Sequence, residues 1–202
     1  MRLNRFILPS AIIASSLIGP SASAAIIIYN DQGLYQSATT SLSQGLENFN
    51  AYSGSYTSPL VGVANGVTWT ATSNSGFTIN NGQMSTAMPG AMNIGFSGVD
   101  VYGVYGNFFG TDVNGNLAPG LVFVQLANGS GSLLYVDNPN QFFGFVSTDA
   151  PILSISASAQ SFPNPDPILR ASVDNLGFSF VIPAPGAIAV LGMMGLVARR
   201  RR

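Results

Sequence analysis

Segments that change side-chain chemistry at every second residue dominate the middle of this chain. Leu153, Ile155, Ala157 and Ala159 alternate with Ser154, Ser156, Ser158 and Gln160, so a strand here has one apolar side and one polar side. Val67, Trp69 and Ala71 alternate with Thr68, Thr70 and Thr72, and Leu176, Phe178, Phe180 and Ile182 alternate with Asn175, Gly177 and Ser179. A helix cannot bury one face of a period-two pattern, so these runs confine the chain to sheets. Further short strands are expected over residues 26–29, 46–50, 77–79, 92–96, 101–109, 121–126, 133–136 and 142–146, bounded by Gly and Asn turn residues. One helix is expected over residues 32–42, where Asn30-Asp31 supplies a cap and Leu34, Tyr35, Ala38 and Leu42 share a face. About ten short strands and one short helix predict an all-β fold, an antiparallel β-sandwich of jelly-roll type.

The two ends do not share this pattern. Arg2 and Arg5 precede an apolar stretch over residues 6–18, Gly19-Pro20 breaks it, and Ala22-Ser23-Ala24 follows. That order is expected of a secretory signal peptide cleaved after Ala24. At the other end, Pro183, Ala184, Pro185 and Gly186 lead into residues 187–198, twelve positions with no polar side chain, and then Arg199, Arg200, Arg201 and Arg202. As a helix that run reaches about 18 Å, at about 1.5 Å per residue. A bilayer core is roughly 30 Å thick. A hydrophobic helix beginning near Pro185 with a basic end therefore suits a transient membrane anchor, with a plain C-terminal anchor as the alternative. Three parts are expected: a signal peptide at 1–24, a β-sandwich ectodomain at 25–182 and a sorting or membrane segment at 183–202.

Charge follows the same division. Of seven arginines, six lie in the end segments and only Arg170 lies between. All eight acids (Asp31, Glu47, Asp100, Asp112, Asp137, Asp149, Asp166, Asp174) lie in residues 25–182, one positive against eight negative charges, a net of −7. Nucleic acid is excluded as a partner, because phosphate neutralisation needs a basic surface. With no histidine and no lysine, a Ser-His-Asp triad, a Ser-Lys dyad and histidine-held zinc or copper are excluded too. Cysteine is absent, so stability is expected from burial and hydrogen bonding, with a bound metal as a further candidate source.

The C-terminal residues resemble the PEP-CTERM sorting signal of Gram-negative bacteria, which has a Pro-Glu-Pro motif, a short apolar helix and a terminal arginine cluster. Ala184 stands where that family has Glu, a Pro-Ala-Pro variant. The middle resembles the passenger domain common among PEP-CTERM proteins through Glu47-Asn48-Phe49, Gly66-Val67-Thr68-Trp69, Phe142-Phe143-Gly144-Phe145 and Asp174-Asn175-Leu176-Gly177-Phe178. The resemblance implies contact with the export machinery and an exosortase-like processing enzyme, and anchoring in the inner membrane through residues 187–198. It further implies release to the cell surface or extracellular matrix in association with exopolysaccharide. It implies no defined catalytic activity.

Jelly-roll carbohydrate-binding modules, which this fold class resembles, join an early acid and a late Asp at a structural calcium. Here those residues are Glu47, expected to open an early strand, and Asp174, expected to open the last. Oxygen ligands suit Ca²⁺; the alternative is an exposed Glu47 and an Asp174 that caps a turn. Asp112, Asn114 and Asn116 lack the glycine and glutamate of a calcium loop and read as a turn on Asn114-Gly115, and Gly129-Ser130-Gly131-Ser132 reads as a hairpin turn. Trp69, Tyr102, Tyr105 and Tyr135 could stack on sugars, although Trp69 is expected in the core. Met84, Met88 and Met92 are expected to fill the core irregularly. The expectation is an exported, non-enzymatic surface or matrix protein. The alternatives are a carbohydrate-binding module docking on polysaccharide and a glycosidase working through a carboxylate pair that includes Glu47.

Overall fold

The computed structural model describes residues 25–163 and 169–182. The expected signal peptide, the sorting motif from Pro183 to Gly186 and the basic end at Arg199 to Arg202 lie outside the described residues.

The described chain starts as β1 (Ile26–Tyr29), turns through α1 (Gln32–Ala38), and continues as β2 (Ser43–Glu47), β3 (Gly54–Tyr56), β4 (Leu60–Ala64), β5 (Val67–Thr72), β6 (Phe77–Asn80) and β7 (Gln83–Thr86). Then come β8 (Met92–Ser97), β9 (Val101–Thr111), β10 (Gly120–Leu126), β11 (Gly131–Val136), β12 (Phe142–Ser147), β13 (Ser154–Ser161) and β14 (Arg170–Phe180). Two antiparallel sheets result. The larger has the order β1-β12-β9-β14-β7-β6-β3, with β2 also paired to β14; the smaller has the order β11-β10-β13-β8-β5-β4. The fold is an all-β antiparallel sandwich, as the alternation predicts.

Its core lies between the sheets. Trp69 and Ile94 come from the smaller sheet, and Phe77, Phe108, Phe143, Phe145 and Phe178 from the larger, all at 1% exposure or less. Each buried aromatic removes roughly 150–250 Å² from water, which makes this layer the main source of stability in a cysteine-free chain. Hairpins set the register. The β4–β5 turn at Asn65-Gly66 and the β6–β7 turn at Asn81-Gly82 both hold two successive residues at positive φ (53° and 90°, 52° and 78°). That conformation matches the strand twist, and Asn-Gly adopts it with little strain.

Several expected boundaries move. The helix is seven residues long, because Thr39 ends it: its N–H and its Oγ1 both donate to the Tyr35 carbonyl. Asp31 caps it through Leu34 N–H at 2.8 Å, yet only Tyr35 of the expected apolar face is buried, and Leu34 is exposed. Glu47 closes β2 and does not open it, since Phe49 takes a left-handed φ of 54° two residues later. Asp174 lies inside β14, at an irregularity between Asp174 and Gly177, and opens nothing.

β14 is the centre of the larger sheet. β9 runs along one side of it; β7 pairs with Ser172 and Val173 on the other side, and β2 with Leu176 to Phe180.

Candidate functional site

On the outer face of the larger sheet, β7, β14 and β9 carry side chains that are polar and buried together. In β7, Met84 points into the core while Gln83 and Ser85 take the opposite face. Ser85 lies opposite Ser172 of β14, and Arg170 lies opposite Thr111 of β9. The result is a chain of hydrogen bonds: Gln83 Nε2 donates to Ser85 Oγ (2.9 Å), Ser85 Oγ bonds Ser172 Oγ (2.8 Å), and Ser172 Oγ bonds Thr111 Oγ1 (2.8 Å). Ser85, Ser172 and Thr111 are almost wholly covered. Satisfied in this way, buried hydroxyls hold their rotamers and form a rigid floor.

One wall of this floor is the loop after β9. Asp112 Oδ1 accepts from the N–H groups of Asn114 and Asn116, both at 2.9 Å, and its Oδ2 accepts from Asn116 Nδ2. These bonds, with the Asn116 N–H contributing most, hold the Asp112 carboxyl below the usual carboxylate range. Gly115, at φ 84°, completes the turn expected at Asn114-Gly115. The opposite wall is the β6–β7 hairpin with Thr78, Asn80 and Asn81.

Between these walls is a groove of about 420 Å³ lined by Thr78, Asn80, Asn81, Gln83, Ser85, Val113, Asn114, Gly115, Asn116 and Arg170. That volume falls within the roughly 300–1,000 Å³ of small-ligand sites. Where such sites are mostly apolar, this lining is mostly amide and hydroxyl, with one guanidinium and the apolar Val113. Arg170 is the one basic side chain among the described residues, and its Nε is buried with no hydrogen-bond partner. The groove can hydrogen-bond a polar ligand. Its lining carries no carboxylate pair and no nucleophile with a base beside it.

The acids singled out in the sequence lie elsewhere. Glu47 points between the sheets and is 9% exposed; its Oε1 accepts from Phe49 N–H at 2.8 Å and its Oε2 from Trp69 Nε1 at 3.2 Å. Asp174 follows the inward-facing Val173, lies opposite Asn107 and accepts from Asn175 N–H through Oδ1. Burial raises its carboxyl above the usual value. Alternation along β14 places Asp174 on the outer face and alternation along β2 places Glu47 on the inner one, so the two carboxylates are not brought together. Among the described residues no three of the His, Cys, Asp and Glu side chains group so as to hold a metal ion.

The aromatic residues divide. Trp69 is fully buried against Phe49 and Tyr52, as expected. Tyr105 stacks on Phe142 and leans on Tyr35, and Tyr102 is half-buried. Tyr135 is exposed and meets Phe162 edge to face. Met84 and Met92 fill the core; Met88 is exposed.

The groove residues escape sequence reasoning because they are ordinary turn and strand polars. The one signal that could have found them is Arg170, isolated between two arginine-bearing ends. Comparison with protein-family models, with curated proteins and with solved structures finds no match for this chain.

Proposed function

We propose that the chain is an exported, non-enzymatic surface or matrix protein, delivered by its first twenty-four residues and sorted by a PEP-CTERM-like tail that an exosortase-like enzyme processes. The observation that carries this reading is the placement of positive charge. Six of seven arginines flank two short apolar stretches at the ends, and the domain between them is acidic and lysine-free. Such ends orient and hold a chain at a membrane. β14 ends at Phe180, three residues before Pro183, so processing would take place close against the folded domain. The sandwich is assigned to the jelly-roll class and the tail to a short hydrophobic helix. The first assignment is supported by the path of the chain, which passes between the sheets from β7 to β8, β8 to β9, β9 to β10, β11 to β12, β12 to β13 and β13 to β14.

The test is the intact mass of the protein recovered from its native cells. Loss of residues 1–24 together with the tail beyond about Pro185 is the expected result. Retention of Arg199 to Arg202 in a membrane fraction would replace sorting by plain anchoring.

A second reading, a domain that docks on polysaccharide, is favoured by the Arg170 groove, whose amides and hydroxyls match the hydrogen-bonding groups of sugars. A glycosidase draws no such support, since the one glutamate has both carboxylate oxygens engaged between the sheets.

A further inference from the structure

We infer that the groove over β7 and β14 binds a saccharide bearing a carboxylate, a uronic-acid unit, and that Arg170 reads the carboxylate. The inference rests on the polysaccharide-docking reading and specifies its ligand class.

Three observations support it. Arg170 Nε is buried without a partner, and a guanidinium donor removed from water without an acceptor is costly to leave in that state. With Nε enclosed, Arg170 offers the groove its terminal N–H groups, whose planar pair matches the two oxygens of a carboxylate and only one oxygen of a hydroxyl. The remaining lining suits the rest of a sugar: among the described residues Thr78, Asn80 and Asn81 make no side-chain hydrogen bond, leaving their groups available to ring hydroxyls. The floor beneath is already satisfied through Ser85, Ser172 and Thr111, so it need not rearrange when a ligand arrives.

The charge of the domain makes this a question of a site and not of a surface. With a net of −7 over residues 25–182, a polyanion gains nothing from the field of the whole protein. Any preference for an acidic glycan must therefore come from local contacts, and Arg170 is the one described cation that could make them.

The experiment titrates the full chain with oligogalacturonate, a uronic-acid oligosaccharide, and with the same oligosaccharide fully methyl-esterified. The acid form is expected to bind at least about tenfold more tightly, the discrimination typical of a carboxylate that loses an arginine partner. In Arg170→Gln the acid form should weaken to match the ester. In Arg170→Lys, which keeps the charge and loses the fork, part of the preference should remain. Asn80→Ala should weaken both forms by a similar factor, and melting curves establish that each variant is folded. Equal binding of acid and ester, or an Arg170→Gln that keeps the preference, overturns the role of Arg170 while leaving saccharide docking intact. Binding of neither form overturns the inference; binding of a neutral polysaccharide in that case leaves the docking reading standing, and its absence removes that reading as well.

Discussion

Replacing Glu47 by alanine tests how the two sheets are tied together. Its carboxylate accepts from Phe49 N–H in the larger sheet's loop and from Trp69 Nε1 in the smaller sheet, and both donors belong to residues at 0% exposure. Alanine would strand two buried donors. Each stranded donor costs about 1–3 kcal/mol, so the loss is expected at about 2–6 kcal/mol. For a domain of this size that corresponds to a melting temperature lower by about 5–20 °C. Urea unfolding followed by far-UV circular dichroism is the assay, since Trp69 is the only tryptophan and the variants that lack it carry no indole fluorescence. Trp69→Phe removes the indole donor and most of the reason for the loss on that side. The double variant should therefore be less unstable than the sum of the two singles, by about 1–2 kcal/mol. A loss below about 0.5 kcal/mol in Glu47→Ala, or strict additivity in the double variant, would refute the account of Glu47 as the link between the sheets.

Gly62 faces Trp69 across β4 and β5, and a Cβ there would land within the indole ring; Gly62→Ala should cost about 1–3 kcal/mol and shift the Trp69 emission. Tyr35 is buried with its hydroxyl on Ser179 Oγ at 2.7 Å, and burial raises its phenol far above the usual value of 10.0. The unfolded phenol ionises near that value and the folded one keeps its proton. The stability contribution is therefore whole below about pH 10 and falls as the pH rises further, and Tyr35→Phe should show a shallower alkaline loss in denaturant titrations. A chelator should leave the melting temperature of the wild-type chain unchanged, because both Glu47 oxygens already accept from N–H groups and Asp174 lies on the other face. A clear drop on chelation would instead restore a structural cation.

The strands most legible in the sequence are those whose inward residues are apolar and whose outward residues are polar or glycine. β5, β13 and β14 declare themselves through Trp69, Ile155 and Phe178 because the residues between are Thr, Ser or Gly. β4 escapes for the opposite reason. Two of its three inward positions, Gly62 and Ala64, are small to make room for neighbours such as the Trp69 ring, while Val61 and Val63 face outward, which inverts the usual signal. β7 escapes because Gln83 and Ser85 serve the groove floor, leaving Met84 as its one apolar residue. The candidate site was illegible on the same grounds: Ser85, Ser172 and Thr111 become a unit only when three strands distant in sequence lie side by side. Glu47 and Asp174 were paired through a resemblance, as the early acid and late Asp of a calcium site, but alternation along neighbouring strands separates them in a way no spacing of residues reveals.

The position of β14 has a consequence for the order in which this protein can come into being. It is the last described strand to be synthesised, yet it lies in the interior of the larger sheet, with β9 on one side and β7 and β2 on the other. Until it arrives, those three strands have unpaired edges and the Phe178 position of the core is empty. No early portion of the chain can close the sandwich ahead of time, and contacts between residues as distant as Glu47 and Leu176 must form late. Whatever receives the growing chain therefore receives it open, with strand edges that need protection from one another. The same arrangement makes completion decisive: truncation before Arg170 would divide the larger sheet into β1-β12-β9 and β7-β6-β3 and leave β2 without its partner strand.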